Sequence, residues 1–108
     1  MTLRDRLEAA LAAGQDSALL RFTLGDLLAK SGELEAAIEH LQQAVVLDPN
    51  YSAAWALLGR SQIKANRPDA ARDTLIRGLA VAREQGDRQA ERSMGVFLKR
   101  LAPDSASP

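Results

Sequence analysis

Apolar residues return every three or four positions along most of this chain, and polar or glycine-containing breaks cut the pattern into six stretches. In the first, Leu3, Leu7, Ala10 and Leu11 share a face. Thr2 can cap its start, Asp5 sits where the helix dipole favours an acid, and Gly14 suits a left-handed stop, so a helix is expected over 2–13. Asp16 or Ser17 opens a second helix, Ala18–Lys30, with Leu20, Leu24, Leu27 and Leu28 as its stripe and Ser31-Gly32 as its break. The third, Leu34–Leu47, has a broad apolar face through Ala37, Ile38, Leu41, Ala44 and Val45. Asp48-Pro49-Asn50 stops it, because the residue before a proline is pushed out of the helical region. Ser52 is the expected cap of a fourth helix that carries Trp55, Leu58 and Ile63 to about Ala65. Pro68 fits the first turn of a fifth, which carries Ala71, Leu75, Leu79 and Val81 to about Glu84. After Gly86 and Asp87, a sixth runs Arg88–Leu101 with Met94, Phe97, Leu98 and Leu101 on one side. Nothing alternates with the period of a strand, so the fold class is all-α. Residues 102–108 lack apolar periodicity and are expected to form a disordered tail.

The pattern repeats. With 18–51 laid over 52–85, a shift of 34 residues, six positions are identical: Leu24/Leu58, Gly25/Gly59, Lys30/Lys64, Ala36/Ala70, Ala37/Ala71 and Leu41/Leu75. Most fall where a helical hairpin needs side chains of set size. Gly25 and Gly59 let the two helices of a pair approach, Ala37 and Ala71 supply a matching small surface, and the four leucines fill the space between.

A hairpin of this period carrying Trp55-x-x-Leu58-Gly59 and then Ala71-x-x-x-Leu75 resembles the tetratricopeptide repeat. The first copy carries Leu24-Gly25, Ala37-x-x-x-Leu41, Ala44 and Pro49, and the run from Leu47 to Gly59 is similar to the family's junction between repeats. There are departures. Arg21 stands in the Trp place of the first copy, Leu28 and Gln62 stand where the family prefers Tyr, and Arg83 replaces the terminal Pro. Asn66 replaces the turn glycine that Gly32 supplies, and Asn also tolerates the left-handed conformation. The resemblance implies an α-solenoid, a right-handed superhelix of antiparallel helix pairs, in one domain over 1–101. Two full repeats, 18–51 and 52–85, are flanked by a second helix of a preceding repeat (2–13) and a capping first helix (86–101).

The resemblance also implies a concave face lined by the first helices. The family's usual contact positions fall on Leu19, Phe22, Asp26, Ala29 and Lys30, then on Ala53, Ala56, Arg60, Ile63 and Lys64, with Ala90, Met94, Phe97 and Leu98 added by the sixth helix. Phe22, Met94 and Phe97 fit a core reading equally well, and Lys30, Arg60 and Lys64 also fit a solvated face. The subfamily that clamps a peptide carboxylate with Lys and Asn is not matched. Phe22 and Asp26 occupy its usual Lys and Asn places, and Leu57 its second Asn.

Composition narrows the chemistry. A chain of 108 residues makes one small domain. The absence of cysteine removes disulfides, thiolate nucleophiles and sulfur-ligated metals. His40, the only histidine, is expected on the exposed side of the third helix, with no acid cluster to make a metal site or a base–nucleophile pair. No glycine-rich phosphate loop is present, so neither an enzyme, nor a cofactor, nor a metal is expected. Arg4, Asp5, Arg6 and Glu8 argue against a secretory signal, and no apolar run approaches the length of a membrane span, so the expected setting is cytoplasmic with no membrane partner.

Net charge is zero, which disfavours a nucleic-acid partner. The halves differ, however. Residues 1–50 hold four Lys/Arg and eight Asp/Glu, and residues 51–108 hold ten and six. The leading expectation is an adaptor that takes a peptide or helix of another protein along an apolar groove. The alternative is a structural protein whose half repeats complete each other between chains, with the charge asymmetry favouring head-to-tail contact. Nucleic-acid binding by Arg83, Arg88, Arg92, Lys99 and Arg100 is disfavoured by the interleaved Asp87 and Glu91.

Overall fold

Six helices follow one another without a strand among the described residues: α1 (Leu3–Ala12), α2 (Ala18–Lys30), α3 (Leu34–Leu47), α4 (Ser52–Lys64), α5 (Pro68–Gln85) and α6 (Arg88–Ala106). The computed structural model describes residues 1–106, and the side chains of residues 1–101. α6 thus runs past the expected boundary at Leu101 into the segment expected as a tail, and residues 107–108 lie outside the described residues.

Local chemistry sets most of the ends. Thr2 Oγ1 accepts from the Asp5 amide at 3.1 Å while Asp5 Oδ2 accepts from the Thr2 amide at 3.1 Å, a reciprocal cap for α1. Ser17 Oγ accepts from the Leu20 amide and starts α2. Asn66 sits in the left-handed region at φ 60°, as Gly32 does at 83°, so the two hairpin turns share one backbone shape. Ser52 is the exception. Tyr51 is the N-cap of α4, and Ser52 lies inside the first turn, buried, donating its hydroxyl to Asp87 Oδ2 at 2.5 Å.

α2 packs on α3 and α4 on α5 as two hairpins, and α3–α4 and α5–α6 contacts stack them. Close approach within each hairpin depends on one glycine. A Cβ at Gly25 would lie 2.7 Å from Leu41 Cγ, and one at Gly59 would lie 2.5 Å from Leu75 Cδ2. Leu24, Leu41 and Leu75 are fully buried, and Leu28, Ile38, Trp55 and Leu58 complete a core continuous across both repeats. The hairpins are also tied at their turns. Arg4 reaches Glu33 Oε2 at 2.6 Å from α1, and Arg67 pairs with Glu35.

One register changes along the stack. α2 and α4 begin 34 residues apart, at Ala18 and Ser52, but α6 begins at Arg88, 36 residues after Ser52. α5 has 18 residues against 14 in α3, and it ends at a left-handed Gly86 in a link of two residues (86–87) against four (48–51), a net gain of two. On the structural register Met94-Gly95 is therefore the counterpart of Leu24-Gly25 and Leu58-Gly59. Met94 is fully buried, as Leu24 is. Its sulfur lies where a Cβ at Gly78 would come within 2.6 Å, so Gly78 makes room for it.

Candidate functional site

The first helices α2, α4 and α6 line a concave groove. Its larger part, about 290 Å³, is bounded by Phe22 and Asp26 of α2, by Ala53, Ala56, Leu57 and Arg60 of α4, and by Asp87, Gln89, Ala90 and Ser93 at the start of α6. A smaller extension of about 140 Å³ shares Asp26, Leu57 and Arg60 and continues along Ala29, Lys30 and Lys64. The small side chains of Ala53 and Ala56 leave the space, and Phe22 and Leu57 give it an apolar wall. Phe22 is held by Tyr51 from the junction between repeats, with ring centroids 4.9 Å apart and planes tilted by 34°.

The charges divide into spent and available. Lys30 Nζ lies 2.9 Å from Asp26 Oδ2, one helical turn away. Arg60 stands over the Phe97 ring at 5.7 Å, and Arg100 approaches the same ring at 5.4 Å. Neither Arg60 nor Lys64 has a carboxylate partner among the described residues. At the α6 end, Asp87 Oδ1 accepts from the Ala90 amide at 3.0 Å, and its other oxygen takes the Ser52 hydroxyl. The Ser52 hydroxyl first, and the Ala90 amide second, hold the Asp87 carboxyl below the usual carboxylate range. Asp87 thus stays anionic, caps α6 and fixes the far wall of the groove.

Of the residues expected from the sequence, Phe22, Asp26, Ala29, Lys30, Ala53, Ala56, Arg60, Lys64 and Ala90 come together on the groove. Leu19 is 66% exposed and stands outside it. Ile63 and Phe97 are partly buried against the core, Phe97 as the platform under Arg60. Met94 does not belong to the surface. The two-residue register shift turns it inward, where it is fully buried. Leu57, Asp87, Gln89 and Ser93 were not expected. The same shift brings Gln89 to the place that Ala53 holds on α4, and the length of α5 was its only signal in the sequence.

His40 is also placed differently from the expectation. It is half-buried, and its Nδ1 lies 3.1 Å from the Arg21 guanidinium, which binds both carboxylate oxygens of Asp16. Arg21 and His40 occupy the places that Trp55 and Thr74 hold in the second repeat. An ion-paired chain there covers the surface that the indole covers in repeat 2, where Trp55 Nε1 donates to the Pro49 carbonyl at 2.8 Å. Among the described residues no group of three His, Asp or Glu side chains could hold a metal ion, and no helix is long and apolar enough to cross a membrane.

Stacked antiparallel hairpins around an open groove define a helical-repeat scaffold. The tetratricopeptide repeat family matches residues 28–91, more than half of the chain, and the chain belongs to that family. It is 50% identical over 95 residues to the TPR repeat-containing protein PA0015 of Pseudomonas aeruginosa, covering 88% of this chain and 90% of that one. Its fold is similar to the solution structure of protein BPP2914 from Bordetella parapertussis, with a TM-score of 0.82, 42% identity, and 98% and 92% of the two chains covered. The TPR domain of Sgt2 from Aspergillus fumigatus shares the fold, with a TM-score of 0.72 at 20% identity over 97% of this chain and 72% of that one. Members of this family are protein–protein interaction modules.

Proposed function

We propose that this protein is an adaptor whose concave groove takes a helix or extended peptide of a partner protein. The carrying observation is the pairing of an apolar wall, Phe22 and Leu57 beside Ala53 and Ala56, with two cations, Arg60 and Lys64, that no carboxylate of the described residues satisfies. Asp26 is occupied by Lys30, so the groove's free charge is positive. The fitting ligand is a segment with apolar side chains for the α2–α4 floor and an acidic residue toward Arg60 and Lys64. Arg60, half-organised by the Phe97 ring, loses less freedom on pairing than a fully mobile side chain would.

The test is affinity capture from the source cell with the wild type and with Arg60→Glu/Lys64→Glu. Both side chains are exposed, so the double variant keeps its helical circular dichroism and melting temperature. Partners that enter through the groove are lost with the variant and kept by the wild type. Identical captures from the two proteins sink the groove reading.

A further inference from the structure

The two ends of the stack are open in complementary ways. On α6, Gly95 is the counterpart of Gly25 and Gly59, yet a Cβ there would meet nothing within 4 Å. Among the described residues, nothing fills on α6 the seat that α3 fills on α2 and α5 fills on α4. At the other end, α1 packs on α2 alone and buries none of its residues. Thirty-four residues ahead of Ala37, Leu41, Ala44 and Val45, it carries Leu3, Leu7, Ala10 and Leu11, the second-helix pattern. Leu20 and Leu27 of α2 remain partly exposed, although their counterparts on α4, Ala54 and Ser61, are buried; α4 has both helices of a preceding hairpin, α2 and α3, packed on it, whereas α2 has α1 alone. One end therefore presents a first helix without its second, and the other presents a second helix without its first.

We propose that a second copy of this chain fills the seat, with its α1 laid on α6 so that Leu7 covers Gly95 as Leu41 covers Gly25 and Leu75 covers Gly59. The same docking places α6 beside Leu20 and Leu27 of the incoming copy and completes one repeat across two chains. The order of ends is set by the repeat register, and charge does not oppose it: α1 holds two bases and two acids, against four bases and one acid in residues 88–101. The contact is heterologous, joining different surfaces of the two copies, so each addition leaves a fresh end exposed. It uses neither Arg60 nor Lys64 and stands independently of the groove reading.

Gly95→Leu tests it cleanly. Gly95 has no positive φ and no neighbour in the way, so the variant monomer folds and melts no lower than the wild type. Sedimentation equilibrium in low salt, from micromolar to near-millimolar protein, should show the wild-type mass rising above 11.6 kDa. Gly95→Leu should weaken that association at least about tenfold, since a side chain now occupies the seat. The chain has no cysteine, so a mixture of Leu7→Cys and Gly95→Cys chains should form a disulfide-linked pair under mild oxidation, while Lys30→Cys with Gly95→Cys should not. A wild type that stays monomeric throughout overturns the proposal. So does an association that Gly95→Leu leaves unchanged. Amide protection of the Gly95 face by residues 102–108, or its capture by an unrelated protein without self-association, overturns it as well.

Discussion

Alanine at Gly59 and alanine at Gly95 should change stability in opposite directions, although both glycines hold the same place in the repeat. At Gly59 the new Cβ falls 2.5 Å from Leu75 Cδ2 and 2.8 Å from its Cγ. Apolar carbons rest about 3.5–4.0 Å apart, so Leu75 must retreat by about 1 Å. It has nowhere to go, because its side chain is fully buried and the conflict involves its branch point. Overpacking of this kind costs about 1–3 kcal/mol. Alanine returns about 0.8–1.0 kcal/mol in helix propensity. The net expectation for Gly59→Ala is a loss of up to about 2 kcal/mol, at about 4–8 °C in melting temperature per kcal/mol for a domain this size. At Gly95 the steric term vanishes, since the Cβ meets no atom within 4 Å. Gly95→Ala should therefore gain up to about 1 kcal/mol. The assay is thermal and urea unfolding followed by circular dichroism at micromolar protein, where mass action keeps the ends of the stack apart. Equal effects at the two glycines would refute the register that places Gly95 opposite an empty seat. A Gly59→Ala chain more stable than the wild type would refute the claim that helix separation within a hairpin is set at this position.

Gln62 is 4% exposed, and its Oε1 has no hydrogen-bond partner, so Gln62→Met should stabilise the domain by about 1 kcal/mol in urea unfolding; a loss would show that the amide is satisfied in solution. His40 is held below its ordinary pKa, first by burial and then by the Arg21 charge, so the unfolded chain takes up its proton before the folded one does. Its contribution is present above the unfolded value, near 6.5, and is lost as pH falls through the folded value; the decline should be absent from His40→Gln, and a flat difference between the two proteins over that window refutes the assignment.

The six helices were legible because each keeps a 3.6-residue apolar period between recognisable breaks, and the family was legible because size-critical residues recur at one spacing. What escaped depended on contacts far apart in sequence. Ser52 has the composition and place of a cap, but its hydroxyl is claimed by Asp87, 35 residues on, and its backbone by the first turn of α4. His40 looks solvated from its neighbours on α3, and the guanidinium that half-covers it comes from α2. The groove residues on α2 and α4 could be read from the repeat because those helices are 34 residues apart. On α6 the constant step failed by two residues, enough to exchange an inward and a groove-facing position on a helix. Met94 was therefore expected in the groove, where Gln89 and Ser93 stand instead.

That two-residue shift also bears on what the groove can select. A strict 34-residue step would have set a core-type methionine and bulky apolar neighbours opposite Phe22. The longer α5 instead turns Met94 under Gly78 and brings Gln89, Ser93 and the carboxylate of Asp87 to the wall. Asp87 is committed to Ser52 and the Ala90 amide, so its charge persists without being free to pair with a ligand cation by simple rotation. The groove is thus apolar along α2 and α4, anionic and fixed at the α6 start, and cationic at the Arg60–Lys64 end. On the proposed groove reading, an acidic residue of the ligand is repelled from one end and attracted to the other. A segment captured through the groove should then lose affinity when its sequence is reversed, although its composition is unchanged.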